Sequence, residues 1–159
     1  MSLKPKNKKP SLSMVENHQL VLPSHTNALG TIFGGTIMSW IDIAAAICAQ
    51  KHSGEVCVTA SVDALNFLNP VRMGNMVHLR AKVIFTGRTS MMVQVKVTAQ
   101  ELRSETEVPC VDALLTFVAV DISGKPISVP GLELQTAEEK KDYERASERR
   151  TALLQLPRQ

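Results

Sequence analysis

From Thr36 to Ala49 the chain carries only apolar and small residues apart from one charge, Asp42. Fourteen residues are too few to cross a bilayer, which takes about 20 apolar residues in a helix, so this stretch must be covered by protein. Its Ala, Ile and Met content predicts a helix from Gly35 to Gln50, apolar nearly all round and therefore buried on every face. Ala44, Ala45, Ala46 and Ala49 would let a neighbour pack closely.

The rest of the sequence offers strands to do the covering. A short β-leaning segment from Val15 to Leu22 stops at Pro23. After Ser53-Gly54 the hydrophobic period changes to two. Val56 to Phe67 reads as a long strand, and Val77, Leu79, Ala81, Val83 and Phe85 alternate with His78, Arg80, Lys82 and Thr86, with Ile84 the outward exception. Beyond the turn Gly87-Arg88-Thr89-Ser90, Val93, Val95, Val97 and Ala99 alternate with polar residues, and Val111 to Val120 makes a last strand. Consecutive strands on short turns are largely antiparallel, and such a sheet needs one face covered. The expected architecture is α+β: a curved antiparallel sheet wrapped around one long helix. From Glu133 acids and bases balance, and EEKKDYERASERR predicts an exposed helix with charge pairs at helical spacing. The expected division is a flexible basic tail over 1–13, a folded domain over 14–132 and a charged C-terminal helix and tail over 133–159.

The net charge of +3 does not spread over the chain. Lys4, Lys6, Lys8 and Lys9 lie among the first ten residues, which hold no acid, and the remainder is close to neutral. That distribution, with only six aromatic residues, argues against a nucleic-acid partner. Cys48, Cys57 and Cys110 are odd in number and lack CxxC spacing, and no apolar stretch follows the basic start as a signal peptide would require. A reduced cytoplasmic setting is expected, with no membrane segment.

Asp42 is the sole ionisable group on its helix, and an unpaired buried carboxylate costs several kcal/mol unless it is hydrogen-bonded or protonated. Just upstream, Asn27-Ala28-Leu29-Gly30 forms an irregular loop, and Gly34-Gly35 opens the helix. Glycines there admit a ligand to the main chain, and free N–H groups at a helix start favour negative charge developing on oxygen. Asn27 adds a neutral amide that can polarise a carbonyl or hold a water. Asp42 lies about 10 Å along the helix from its start, so one small carbonyl cannot touch both features within one chain. A two-fold pair of chains, with Asp42 from one and the Asn27 loop from the other, would complete two sites. His25 reads as a hydrogen-bonded scaffold residue of the loop, Cys48 as a small core residue, and the histidines show no metal-ligand spacing. No GxSxG elbow or GxxxxGK[ST] loop occurs.

The segments HTNALGTIFGGTIMSWIDIAAAICAQKH, VTASVDALNFLNPV, TGRTSM and LLTFVAVDISGKPISVP together resemble the cytosolic acyl-CoA hydrolases of the hotdog fold, over roughly residues 18 to 150. The resemblance implies hydrolysis of acyl-CoA to free CoA and a carboxylic acid, a role in fatty-acid metabolism without metal or redox cofactor, and double-hotdog dimers assembled in threes as a homohexamer. It places the catalytic residues on Asn27 and Asp42, a carbonyl-polarising role on Gly34 and Gly35, and CoA contacts on Gly87, Arg88, Thr89 and Ser90. Met38, Trp40, Leu65 and Phe67 are the expected determinants of acyl length. Two other readings stay open: an acyl-CoA sensor without catalysis, and a hotdog hydratase or dehydratase. The second is disfavoured because the helix lacks both His and Glu.

Overall fold

The computed structural model describes residues 6–157. Five strands, β1 (Val15–Leu20), β2 (Val56–Phe67), β3 (Met76–Thr86), β4 (Ser90–Gln100) and β5 (Val108–Val120), form one antiparallel sheet in the order β1-β3-β4-β5-β2. Helix α1 (Gly34–Ser53) lies on one face and helix α2 (Ala137–Leu154) on the other. This is the α+β, hotdog arrangement expected from the sequence. Among the described residues no helix is long and apolar enough to cross a membrane.

The core is the layer between α1 and the sheet. Ile37, Ile41, Ala44, Ala45, Cys48 and Ala49 of α1 meet Val77, Leu79, Ala81, Val83, Val93, Val95, Val97, Ala113, Leu115 and Phe117. Burying each larger aliphatic side chain contributes about 1.5–3 kcal/mol. Gly54, at φ 74°, ends α1 and donates its N–H to the Gln50 carbonyl, a left-handed stop that glycine adopts without a Cβ clash.

The opposite layer is smaller. Ile84, Phe85 and Met92 pack with Ala146, Leu114 and Tyr143 beneath α2. Phe85 was expected on the inner face, but the register between β3 and β4 shifts after Val83. The extra residue, Ile84, turns the phase of the strand, and both it and Phe85 pack under α2. A capping box starts that helix: the Thr136 hydroxyl accepts from the Glu139 N–H, while Glu139 Oε2 accepts from the Thr136 N–H. Lys82 lies 3.6 Å from Glu139 and ties the same turn to β3.

Two expectations need correction. Residues 8–13, read as part of a loose tail, are fixed: the Lys8 N–H donates to the Gly131 carbonyl, the Glu133 N–H to the Lys8 carbonyl, and Ser13 is fully buried. Their anchor is His52, whose Nε2 lies 2.9 Å from the Pro130 carbonyl and Nδ1 3.5 Å from the Ser13 hydroxyl. Residues 1–5 of that tail lie outside the described residues. The second correction concerns α1, which is not covered all round. Met38, Ile43 and Ile47 are 41%, 53% and 42% exposed, because a single sheet can cover only one face of a helix. On β2, the edge strand beside it, Val56, Val58, Val62 and Phe67 are also exposed.

Candidate active site

Asp42 sits on the uncovered side of α1, facing β2. The Thr59 hydroxyl donates to its Oδ1 at 2.8 Å, and among the described residues Oδ2 has no hydrogen-bond partner. Gly35, Asp42 and Thr59 lie on the wall of one cavity of about 360 Å³, whose other residues are mainly apolar. A carboxylate held by one oxygen and open at the other can accept a proton from a water in that cavity.

The loop preceding α1 is built by Asn27. Its Oδ1 accepts from the Leu29 N–H at 3.0 Å and the Thr31 N–H at 3.2 Å, and Nδ2 lies 2.9 Å from the Thr31 hydroxyl. With Oδ1 committed to the loop, the remaining Nδ2 hydrogen is free to be given to an acceptor outside it. Gly30, at φ 73°, makes the bend, and its carbonyl accepts from the Met73 N–H. The Ile32 N–H donates to the Val71 carbonyl, which fastens the loop to the β2–β3 connection. His25 belongs to this scaffold: its Nδ1 accepts from the Leu22 N–H, and its ring stands edge-on to Trp40 at 5.1 Å.

At the helix start, Gly34 and Gly35 are exposed, and a Cβ on Gly35 would meet nothing within 4 Å. Their N–H groups belong to the first turn, which has no intrahelical acceptors. Gly34 lines a second cavity of about 420 Å³ with Thr31, Phe67 and Val71. Of the four residues expected to set acyl length, Met38 and Leu65 line the cavity beside Asp42, Phe67 lines the one beside Gly34, and Trp40 lines neither.

Within one chain the structure keeps the turn Gly87–Ser90 away from the Gly34 end of the site, although Thr59 and Met91 both pair with Phe117, which sets the turn level with Thr59 two strands across the sheet. Ser90 pairs with Val118, and Val56, at the start of β2, pairs with Val120 at the same end of the sheet. Gly34 instead adjoins Phe67 at the far end of β2. Twelve residues of strand separate those ends by roughly 35 Å. Within the turn, Arg88 is exposed, whereas Ser90 is buried and its hydroxyl accepts from Nη1 of Arg150 on α2.

Thr59 is the residue that sequence reasoning missed. It lies within a segment quoted for the resemblance, but nothing in its local pattern marks it. Cys48 is fully buried, and burial pushes its thiol up to about 12, which leaves it an inert core residue at neutral pH. Among the described residues no group of three or more His, Cys, Asp or Glu is placed to hold a metal ion.

Residues 29–106 match the family model of the thioesterase superfamily. An acyl-CoA thioester hydrolase of Bacillus subtilis is 40% identical over 127 residues, covering 80% of this chain and 74% of the relative. Longer relatives exist too: the chain spans 25% of the mouse acetyl-coenzyme A thioesterase, at 34% identity. A hexameric acyl-CoA thioesterase superposes with a TM-score of 0.90 at 42% identity, covering 93% of this chain and 95% of the other. The Staphylococcus aureus acyl-CoA hydrolase, solved with butyryl-CoA, CoA and CoA disulfide, gives a TM-score of 0.86 at 38% identity, covering 91% and 88%. Structures of that enzyme also include alanine variants of an asparagine, an aspartate and a threonine, 15 and then 17 residues apart. The chain belongs to the thioesterase superfamily and, within it, to the hotdog-fold acyl-CoA thioester hydrolases.

Proposed function

We propose that this chain hydrolyses acyl-CoA thioesters to free CoA and a carboxylic acid, at sites shared between two copies of itself. The observation that carries the reading is Asp42, held through Oδ1 by Thr59 and open at Oδ2 on the wall of an apolar cavity. Asn27, Asp42 and Thr59 are separated by 15 and 17 residues, the spacings of the three positions varied in the Staphylococcus aureus enzyme.

In this reading Oδ2 of Asp42 takes a proton from water as its oxygen attacks the thioester carbon. Nδ2 of Asn27 and the N–H groups of Gly34 and Gly35 stabilise the oxyanion. The tetrahedral intermediate collapses, the carbon–sulfur bond breaks, and the departing thiolate recovers the proton from Asp42. Water and one carboxylate suffice for this sequence of steps, so it requires no metal or redox cofactor.

The second copy is supported by three features. The edge strand β2 is open along its length, the apolar residues of α1 and β2 are uncovered, and the structural neighbour with a TM-score of 0.90 is hexameric. An antiparallel copy joined along β2 would bring its turn Gly87–Ser90 toward the Gly34 end of the first chain. Gly87, Arg88 and Thr89 would then face the CoA portion, with Ser90 holding the turn against Arg150. Three such pairs would make the hexamer. The same reading places the enzyme in the cytoplasm, with its three cysteines as free thiols.

A thiol-release assay on a series of acyl-CoAs tests the proposal. Steady turnover is the expected result; saturable binding without CoA release would make the chain a sensor and overturn the reading.

A further inference from the structure

Beyond Asp42 and Thr59, the cavity beside them has walls of Met38, Ile41, Val62, Leu65 and Leu115. These residues differ sharply in depth. Met38 and Val62 are 41% and 48% exposed and stand at the mouth, Leu65 is half-buried, and Ile41 and Leu115 are each 2% exposed. The floor is therefore part of the core of the domain. Leu115 lies on β5 with Val62 of β2 opposite it on one side and Val93 of β4 on the other. With strands bonded on both sides, its backbone has no room to retreat, and Ile41 is fixed on α1 among the core residues.

At about 360 Å³ the cavity lies at the small end of the ~300–1,000 Å³ range of small-molecule sites. A chain whose carbonyl carbon stands beside Oδ2 of Asp42 and whose tail enters this cavity first crosses the level of Val62 and Leu115, which lie opposite each other, over the Leu115–Ile41 floor. It then meets Leu65, which pairs with Ala113 further along β2. Resting on the hydrolase reading above, we infer that Leu115 and Ile41 as the floor, and Leu65 as the far wall, of an acyl channel limit this enzyme to short- and medium-chain acyl groups. The second cavity, beside Gly34 and Phe67, is not the acyl site in this assignment.

The test is kcat/KM on acyl-CoAs from acetyl to palmitoyl, for the full chain and for Leu115→Ala and Leu65→Phe, with solution mass and thermal melting recorded for each. The parent is expected to lose activity steeply beyond medium chains. Leu115→Ala opens room for about two further methylenes, which at roughly fourfold per buried methylene raises the long-to-medium ratio by about an order of magnitude. Leu65→Phe shifts the optimum to shorter chains by a similar factor. Should Leu115→Ala fail to fold, Leu65→Phe, at a half-buried position, decides alone. Folded variants that turn over substrate with the parent's chain-length profile overturn the inference, as does a profile that responds to Phe67→Ala but not to Leu65→Phe. Absence of turnover by the parent on every acyl-CoA would instead remove the hydrolase reading itself.

Discussion

The Thr59 hydroxyl on β2 donates to Oδ1 of Asp42 on α1 at 2.8 Å and joins the helix to the edge strand at the one charged position in the helix's apolar stretch. Hydrogen bonds to a charged group contribute about 1.5–3 kcal/mol, and this one also decides which carboxylate oxygen faces the cavity. Replacing Thr59 by Ala should lower kcat by about tenfold to a hundredfold with a smaller change in KM, and Thr59→Ser should restore most of it. Equal losses in both variants would remove the positioning role.

Asp42→Asn and Asp42→Ala take away the proton acceptor, and general-base groups contribute about 10²- to 10⁴-fold. The expected loss is of that size in kcat, with KM little changed. Steady-state thiol release on the preferred acyl-CoA measures it; parental turnover in either variant would disprove the assignment of Asp42.

If each site takes Asn27 from one chain and Asp42 from the other, a pair formed from an Asn27→Ala chain and an Asp42→Ala chain has one intact site and one doubly altered site. Each mixed pair should have about half of the parental activity, so an equimolar mixture reassembled at random should recover about a quarter of it, although neither variant is active alone. Stable mixed pairs without activity would exclude the shared site.

Burial lowers the affinity of His52 for a proton, the nearby Lys8 acts in the same direction, and the bond to the Pro130 carbonyl opposes them. The folded protein therefore holds the neutral ring, while the unfolded chain titrates near the ordinary value of about 6.5. Below that pH the unfolded state binds the extra proton, so stability falls with acidification, by at most about 1.4 kcal/mol per pH unit. Urea midpoints compared at pH 7.5 and 5.5 should drop more for the parent than for His52→Gln.

A Cβ on Gly87 would come within 2.8 Å of the Ser90 hydroxyl and 2.9 Å of Arg150 Nη1. Arg150 also lies over the Phe85 ring at 5.6 Å, so it has two partners to lose. Gly87→Ala should cost about 1–3 kcal/mol, the usual range for overpacking, and should loosen α2. Faster amide exchange confined to α2 and the turn is the signature to look for.

Much of the fold was legible because the hydrophobic period survives in the elements with two neighbours. Val93, Val95, Val97 and Ala99 alternate with polar residues in the sequence, and β4, at the centre of the sheet, buries the apolar set. Where one residue breaks the count, as Ile84 does, the sequence shows an exception but not its consequence for Phe85. Lys8 to Ser13 look like tail because their partners, Gly131 and Glu133 for Lys8 and His52 for Ser13, lie far along the sequence.

By itself the sequence determined that a helix bearing one carboxylate would pack against an antiparallel sheet, and that a glycine-rich loop holding Asn27 would precede it. Burial of apolar surface and local backbone chemistry dictate both, and both are written in neighbouring residues. Only the tertiary structure decided that Thr59 would hold Asp42, that Leu115 and Ile41 would floor the cavity, and that the turn at Arg88 would lie at the opposite end of the sheet from Gly34. Those relations follow from strand order and from the way α1 crosses the sheet. They are contacts between distant segments, which no local pattern encodes.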